Sequence, residues 1–261
     1  MDEAGAKRLL EVLNAEGGII CAVGAGGKKS TLYRLAQAHH VVGSERVGLT
    51  ATVMLATPPA KLFGAPLIGE QDTLATSLMA ALADRRLVAF AAPSSKPGRL
   101  AGLGAERISE IHANCDFTAT LVKADGARMR LIKAPSEEEP VLPANVSTIL
   151  PIVSAKAIGR PLNPSIAHRL ERLCWVTGAS PNENLTPLHV ARLLVSDAGA
   201  LHKAGNARVV PIINMVDDAS SADAAREAAH HTLATTRRLD RVVLTSMAAE
   251  QPLIEVVSSR T

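Results

Sequence analysis

Near its start the chain reads Gly18-Ile19-Ile20-Cys21-Ala22-Val23-Gly24-Ala25-Gly26-Gly27-Lys28-Lys29-Ser30-Thr31, and Leu32-Tyr33-Arg34-Leu35-Ala36 follows. An apolar run, a glycine-rich turn and a helix-forming segment in this order predict a strand, a loop and a helix. Glycines let the backbone turn its N–H groups toward an anion, a helix N-terminus adds partial positive charge, and a lysine adds a full charge. The pattern therefore predicts a phosphate-binding P-loop that holds ATP or GTP.

The lysine of this loop has two possible registers. A full P-loop is Gly-x-x-x-x-Gly-Lys-Ser/Thr, and Gly27-Lys28 fits its Gly-Lys pair, although Lys29 takes the hydroxyl position. The other register puts Lys28 where a glycine is required, so we favour Lys28 as the residue that holds the β- and γ-phosphates. Ser30 or Thr31 then supplies the hydroxyl that contacts magnesium. The alternative is a tight strand-to-helix turn with two solvated lysines.

Predicted strands and helices alternate along the chain. Strands end near Val23, Ala51, Ala124 and Asn214, with helical segments between them. This alternation predicts an α/β fold of the three-layer, P-loop NTPase-like type, with a largely parallel sheet flanked by helices. We expect one nucleotide-binding domain over residues 1–261. Ligands of such folds bind at the carboxyl ends of the strands.

A second motif, Asp125-Gly126, ends the apolar strand predicted over Phe117 to Ala124. A carboxylate at the end of a strand beside a P-loop strand is the usual place for the residue that organises Mg²⁺. We therefore predict that Asp125 shares catalysis with Lys28, and that it binds the metal ion. An ordinary Asp-Gly turn explains the same residues, and it is the better interpretation of this motif taken alone.

A third motif, Asn214-Met215-Val216-Asp217, follows another predicted strand. Asn-x-x-Asp resembles the guanine-reading motif of GTP-binding proteins, in which the Asp carboxylate accepts hydrogen bonds from the ring N–H and the exocyclic amine. We therefore include Asn214 and Asp217 among the candidate nucleotide-binding residues. A strand-end turn accounts equally well for this motif.

Three cations follow Asp125 in the sequence, namely Arg128, Arg130 and Lys133. Cations beside a phosphate site are suited to a second anionic ligand or to the γ-phosphate. A solvated loop, balanced by the acidic run Glu137 to Glu139, is the alternative, and it is slightly favoured for any single residue.

The composition narrows the class of protein. The 261 residues are 47% hydrophobic and 2% aromatic, and the net charge is +3. Few aromatic residues argue against a base-stacking nucleic-acid platform, and a mild, dispersed charge implies no polyanionic partner. The three cysteines lie far apart and form no zinc or disulfide pattern. Since membrane-spanning and secretory segments are also lacking, we expect a cytoplasmic protein with no nucleic-acid or membrane partner.

Taken in order, the motifs resemble the YqeC family. They are Gly24 to Lys28, Asp125-Gly126-Ala127, Lys133 to Pro140, Gly159-Arg160-Pro161-Leu162 with His168-Arg169, Leu185-Thr186-Pro187, and Asn214 to Asp217. The resemblance covers most of the chain. It implies a P-loop nucleotide-binding protein that helps to mature or load a selenium-dependent molybdenum hydroxylase or its cofactor.

Three positions depart from the family's pattern. Lys29 stands where Thr or Ser follows the P-loop lysine, Lys123 where Glu is usual, and Met215 where Lys is usual. A missing hydroxyl and a missing carboxylate weaken magnesium binding, whereas added lysines can offset nucleotide charge directly. We therefore predict a slow nucleoside triphosphatase. The alternatives are a non-hydrolysing scaffold or regulator, and a small-molecule kinase that holds its substrate through Arg128 and Arg130.

Overall fold

The structure is a computed structural model that describes residues 1–69 and 71–259. The elements in the first half of the chain are α1 (Glu3–Val12), β1 (Gly18–Gly24), α2 (Lys28–Val41), β2 (Val47–Ala51), β3 (Leu55–Ala56), α3 (Ala60–Phe63), β4 (Leu67–Ile68), α4 (Gln71–Leu82), β5 (Leu87–Ala91), β6 (Arg99–Leu100), α5 (Ala105–Asn114) and β7 (Ala119–Lys123). The elements in the second half are β8 (Ile132–Lys133), β9 (Val146–Ser154), a 3-10 helix (Ala155–Ala157), β10 (Ala167–His168), α6 (Leu170–Thr177), α7 (Pro187–Val195), β11 (Arg208–Val209), β12 (Ile212–Asn214), α8 (Ala219–Thr235), β13 (Arg241–Thr245) and β14 (Leu253–Ser258).

The described chain divides into two compact units that are interleaved in sequence. The first contains Met1–Ala22, Leu32–Gly126 and Val141–Thr148, and the second contains Val23–Thr31, Ala127–Pro140 and the residues from Ile149 onward. The glycine loop therefore belongs to the second unit, and Asp125 belongs to the first. The expected single domain takes in residues 70, 260 and 261, which lie outside the described residues, and it stays a prediction.

The first unit is built on a parallel sheet. Its strands follow the order β1-β7-β2-β5-β4, and each neighbouring pair is parallel. The strands β2 and β5 are buried along their whole length, because apolar side chains on both faces of a parallel sheet must be covered. Buried residues of the helices, such as Leu9 of α1, Leu35 of α2 and Ile108 of α5, contribute to the core.

The second unit is built on the same principle. Its sheet follows the order β14-β13-β12-β9, with parallel pairs except for the antiparallel edge strand β14. Leu173, Leu194 and Ala228 of the helices α6, α7 and α8 join Ile213 and Leu244 of the strands in one buried core. A separate two-stranded parallel sheet pairs β8 with β10.

These elements confirm the predicted fold class, a mixed α/β protein with a mostly parallel sheet flanked by helices. The helix α7 begins with residue types that favour a helix start, because Thr186 caps the helix and Pro187 occupies its first position. The helix α6 is an element that the sequence patterns did not predict. In the described part of the chain no helix is both long and apolar enough to cross a membrane. The cytoplasmic compartment stays a prediction.

Candidate functional site

The loop between β1 and α2 has a backbone that only glycine adopts readily. The φ angles are +84° at Gly24, +91° at Gly26 and +128° at Gly27. A Cβ atom on Gly24 would overlap the carbonyl oxygen of Ile152, and the Ala25 N–H donates to that same oxygen at 2.8 Å. The loop therefore lies directly against β9, and its glycines are required both by conformation and by lack of space.

Asn214 at the end of β12 holds the tip of the loop. Its Nδ2 donates to the Gly26 carbonyl at 2.8 Å, and a Cβ atom on Gly27 would overlap this amide nitrogen. Its Oδ1 accepts from the Thr245 hydroxyl and from the Met247 N–H, each at 3.0 Å. The Asn214 side chain thus makes three hydrogen bonds, one to the glycine loop and two to the end of β13. Its predicted contact with a nucleotide stays a prediction.

Lys28 is the first residue of α2 and is only 6% exposed. Its Nζ donates to the Gly24 carbonyl, so the ammonium group lies over the loop, at the place where a phosphate would bind. The first turn of an α-helix also presents N–H groups that its own carbonyls cannot reach. This combination of one buried cation and a helix N-terminus is the charge pattern of an anion-binding loop.

The two candidate hydroxyls for magnesium have different environments. The Thr31 hydroxyl is buried and donates to the carbonyl of Gly27, the residue before α2, at 3.1 Å. Ser30 is exposed on the first turn, next to the exposed Lys29. Of the two hydroxyls, that of Ser30 is therefore the one accessible to a bound cation.

Asp125 follows β7 in the first unit and is almost completely buried. Two residues earlier lies Lys123, which stands where the family has Glu. Its Nζ donates to the Met54 carbonyl at 2.6 Å, so the ammonium group has a partner within the first unit. Magnesium takes carboxylate and hydroxyl oxygens and keeps several waters. The carboxylate of Asp125 is a donor type that fits such an ion, and the predicted part of Asp125 in metal binding and catalysis stays a prediction. The hydroxyl of Ser30, considered by itself, is also a suitable donor, and its predicted contact with magnesium stays a prediction.

Asp217 carries an ionised, fixed carboxylate beyond the end of β12. Its Oδ1 accepts from the Ser246 hydroxyl at 2.7 Å, and its Oδ2 pairs with the Lys156 ammonium at 2.7 Å. These two partners, Lys156 first, lower the pKa of Asp217. Because the side chain is 41% exposed, the carboxylate is open to solvent as a hydrogen-bond acceptor.

The sequence patterns did not single out Lys156 or Ser246. Both lie just beyond the carboxyl ends of strands, β9 and β13, that flank β12 in the sheet, and that position is the signal that could have found them. Met215, which stands where the family has lysine, has a φ of +62° and accepts a hydrogen bond from the Ser154 hydroxyl at its Sδ atom, 3.1 Å away.

A second charged cluster lies on β8 and β10. Lys133 donates from Nζ to Glu139 Oε2 at 2.5 Å, and Arg169 donates from Nη1 to the same oxygen at 2.6 Å. The Lys133 side chain is fully buried and that of Glu139 is 17% exposed. His168 is the register partner of Lys133 in the parallel strand pair. Lys133, predicted as one of three cations in a solvated loop or an anion site, is therefore not solvated.

The charges of this cluster shift two pKa values. Burial raises the pKa of Glu139, but the hydrogen bonds and charges of Lys133 and Arg169 outweigh it, and the net pKa is lowered. Burial lowers the pKa of His168, and the charges of Arg169, Lys133 and Arg128 lower it further, against the opposing effect of Glu139. Both lowered pKa values mean that protonation of Glu139 and of His168 is disfavoured beside these cations.

Fold and loop together define a class of protein, an α/β protein in which a strand, a glycine-rich loop and a helix form a candidate phosphate site. Comparison with known proteins identifies the family. A family model described as YqeC protein matches residues 20–171, which is more than half of the chain. The Escherichia coli (strain K12) protein described as "Uncharacterized protein YqeC" is 27% identical over 182 residues, which cover 70% of this chain and 69% of that protein. The chain belongs to the YqeC family, as its ordered motifs predict.

Proposed function

We propose that this protein binds a nucleoside triphosphate at the loop Gly24 to Thr31 and hydrolyses it slowly, in support of the maturation of a molybdenum hydroxylase or its cofactor. The observation that carries the binding proposal is the loop itself. Three glycines with positive φ approach neighbouring strands too closely for a Cβ atom, and a buried lysine follows at once. A turn that only reverses the chain requires neither feature.

The loop would bind phosphate through its backbone and through Lys28. Main-chain N–H groups at the loop and at the start of α2 would face the phosphate oxygens. Lys28 would exchange the neutral Gly24 carbonyl for a charged oxygen, which is the stronger partner. Ser30 would contact the magnesium ion, which supplies neutralisation of the phosphate charge.

Asp217 favours guanine as the base. Guanine presents a ring N–H and an amino group, both donors, whereas the same edge of adenine presents an acceptor at the ring nitrogen. An ionised carboxylate accepts hydrogen bonds only, and the Ser246 hydroxyl fixes its orientation. We therefore propose a guanine nucleotide as the preferred ligand.

Slow hydrolysis is proposed because of two lysines. Lys29 occupies the position at which a hydroxyl contacts magnesium, and Lys123 replaces a carboxylate and donates to the Met54 carbonyl. These substitutions equally favour a second function, a non-hydrolysing nucleotide-binding scaffold or regulator. The remaining alternative is a small-molecule kinase, which would transfer the γ-phosphate only when an acceptor is present.

Nucleotide binding is tested by calorimetric titration of the protein with GTP, ATP and CTP, with and without Mg²⁺. We expect GTP to bind most tightly and Lys28→Ala to weaken it by about tenfold or more, the loss typical of a hydrogen bond to a charged group. The exposed Lys7 of α1 is the matched control, and Lys7→Ala should bind as the wild type does. No binding by the wild type would refute the proposal.

Phosphate release, measured on the same samples, separates the three functions. Slow release without an acceptor supports the triphosphatase, and binding without release supports the scaffold. Release or transfer that depends on an added acceptor supports the kinase.

The cellular role is supported by the family resemblance and is tested in a cell that makes a selenium-dependent molybdenum hydroxylase. Removal of the protein should lower the activity of that hydroxylase. The wild type should restore the activity and Lys28→Ala should not. Unchanged hydroxylase activity after removal would contradict this part of the proposal.

A further inference from the structure

We propose that the surface formed by Arg208, Arg237, Arg238, Arg241 and Asp240 binds an acidic segment of a partner protein. These five residues are called the arginine patch below, and all of them belong to the second unit. The proposal does not depend on nucleotide binding, because it rests on none of the residues of the glycine loop.

The arginine patch brings together two segments that are distant in the sequence. Arg208 donates from Nη2 to Oδ2 of Asp240. Arg238 donates from Nη2 to the carbonyl oxygens of Gly205 and Ala207, at 3.0 and 2.7 Å. The connection between α8 and β13 is thus held against the segment that leads into β11, and the arginines of both segments share one surface.

Positive charge exceeds negative charge on this surface. Asp240 is shared by two cations, since its Oδ2 pairs with Arg208 and its Oδ1 lies 4.0 Å from Nε of Arg241. The hydrogen-bond partners of Arg238 are neutral carbonyls, which do not cancel its charge. Arg237 has no carboxylate partner within residues 1–69 and 71–259. Four arginines therefore face one carboxylate.

The rest of the sequence is balanced in charge. It contains 28 Lys and Arg residues and 25 Asp and Glu residues, so 24 of each remain when the arginine patch is set aside. Exposed charges act over about 10 Å at 0.1 M salt, which makes the local balance more important to a partner than the total. An acidic partner would therefore be attracted to this surface in particular.

The arginine patch is accessible. The side chains of Arg208 and Asp240 are 48% and 46% exposed, and Arg237 and Arg238 are exposed as well. An open recess of about 450 Å³ lies beside them, at the end of α8. The polar residues that line it are Thr235, Thr236, Arg237, Asp240 and Ser259. A carboxylate side chain of a partner would find both charge and hydroxyl groups there.

A protein segment fits this surface better than a nucleic acid does. Guanidinium groups match carboxylates with paired hydrogen bonds, and arginine is enriched at protein interfaces. A protein can also present an N–H donor to Asp240, whereas a phosphate backbone would only repel it. None of the residues that form the arginine patch or line the recess is aromatic, so a base would have nothing on which to stack.

The arginine patch and the glycine loop lie at opposite ends of the second unit's strands. Arg241 is the first residue of β13, whereas the glycine loop contacts Ile152 and Asn214 near the ends of β9 and β12, which run parallel to β13 in the same sheet. A partner on the arginine patch would therefore leave the loop open to its own ligand.

The surface is tested by fluorescence anisotropy of a labelled oligoglutamate peptide, titrated with the full-length protein at low salt. A labelled single-stranded oligonucleotide of equal charge is titrated in parallel. We expect the peptide to bind more tightly than the oligonucleotide, and we expect its binding to weaken as salt is added.

Charge reversal decides whether the arginine patch binds the peptide. The double variant Arg237→Glu, Arg238→Glu should weaken binding by about tenfold or more, because each lost ion pair is replaced by repulsion. The matched control is Lys7→Glu, Arg8→Glu, which reverses two adjacent exposed cations of α1 and should bind almost as the wild type does. Thermal melting checks the fold, and Arg237→Glu alone should still weaken binding several-fold if the double variant unfolds.

Neutralisation of Asp240 should have the opposite effect. Asp240→Asn removes the one negative charge of the arginine patch, so it should tighten peptide binding several-fold. The control is Asp116→Asn, since Asp116 is also exposed and pairs with an arginine, Arg46. It makes the same change in net charge and should have no effect.

Three results would overturn the proposal. The first is a wild type that does not bind the peptide at low salt. The second is an equal loss of binding in the two double variants, which would mean that only the total charge matters. The third is tighter binding of the oligonucleotide that is lost in Arg237→Glu, Arg238→Glu, which would assign the surface to a nucleic acid.

Discussion

Gly26 is a residue at which conformation and space both exclude a side chain. Its φ is +91°, and a Cβ atom would lie 2.5 Å from the Ser154 nitrogen. Gly159 has a similar φ of +79°, but a Cβ atom added there would meet no neighbouring group within 4 Å. A substitution of Gly159 therefore measures the effect of the backbone angle alone.

We expect Gly159→Ala to lower the free energy of unfolding by about 1–2 kcal/mol, the usual cost of a left-handed conformation. Gly26→Ala should cost more, because the clash adds to the same strain, and it should also lose nucleotide binding. Urea denaturation of both variants measures the difference. Equal losses of stability would mean that the loop simply moves away from Ser154.

Asp217 determines the choice of base if the proposed guanine contact is correct. Asp217→Asn replaces one acceptor oxygen by an amide donor, and xanthine carries a carbonyl where guanine carries its amino group. The variant should therefore lose affinity for GTP and gain affinity for the xanthine nucleotide. Competition binding with both nucleotides checks this, and parallel loss of both affinities would argue against a base contact.

Glu139 makes the stability of the protein depend on pH. Its folded-state pKa is lowered, so its ionised form stabilises the fold above the ordinary pKa of about 4.3. That stabilisation is lost as the pH falls through the lowered folded-state value. The wild type should exceed Glu139→Gln in stability at pH 7, and the gap should narrow steadily below about pH 4. Urea denaturation over this range measures the gap, which a structurally unimportant Glu139 would leave constant.

At the scale of elements, the side chain of Asn214 connects the glycine loop to the ends of β12 and β13. Its amide makes three hydrogen bonds, to Gly26, Thr245 and Met247. The positions of these partners explain why a strand end far along the chain matters to a loop near its start.

Asn214→Ala removes these three hydrogen bonds from a buried site. We expect the free energy of unfolding to fall by about 2–3 kcal/mol and nucleotide affinity to fall with it. The exposed Asn206 is the matched control, and Asn206→Ala should change neither quantity. Chemical denaturation and GTP titration provide the two readouts. Full stability in Asn214→Ala would show that the loop does not need this connection.

The elements also differ in how clearly local sequence patterns predict them. The strands β1, β7 and β9 are long apolar runs, and α8 begins at a capping residue, so their patterns predict them. The strands β8 and β10 have two residues each, which is too short for any periodicity. The pairing that places His168 beside Lys133 therefore could not be predicted from local pattern.

At the scale of the whole molecule, burial protects the thiols unequally. Cys21 and Cys115 are buried, whereas Cys174 is partly exposed on α6. Burial raises the pKa of all three thiols, most strongly for Cys21. A thiol reagent at neutral pH should modify Cys174 first and should reach the other two only when the protein unfolds. Mass spectrometry of native and urea-treated samples checks this order, which early labelling of Cys21 would contradict.

The fold class and the loop are properties that the sequence alone determines. Alternating apolar segments specify strands and helices through local periodicity, and Gly24, Gly26, Gly27 and Lys28 lie within five residues of one another. Their chemistry can be recognised without knowledge of the rest of the molecule, because local backbone conformation and helix start depend on neighbouring residues.

The tertiary structure alone decides which side chains from different parts of the chain form ion pairs. It brings Lys156 to Asp217, and Arg169 with Lys133 to a single oxygen of Glu139. These partners come from separate elements, and no spacing along the chain encodes their approach. Electrostatic and hydrogen-bond energies depend on distance in space, so a charge that sequence alone leaves on a solvated loop becomes, once folded, part of a buried cluster.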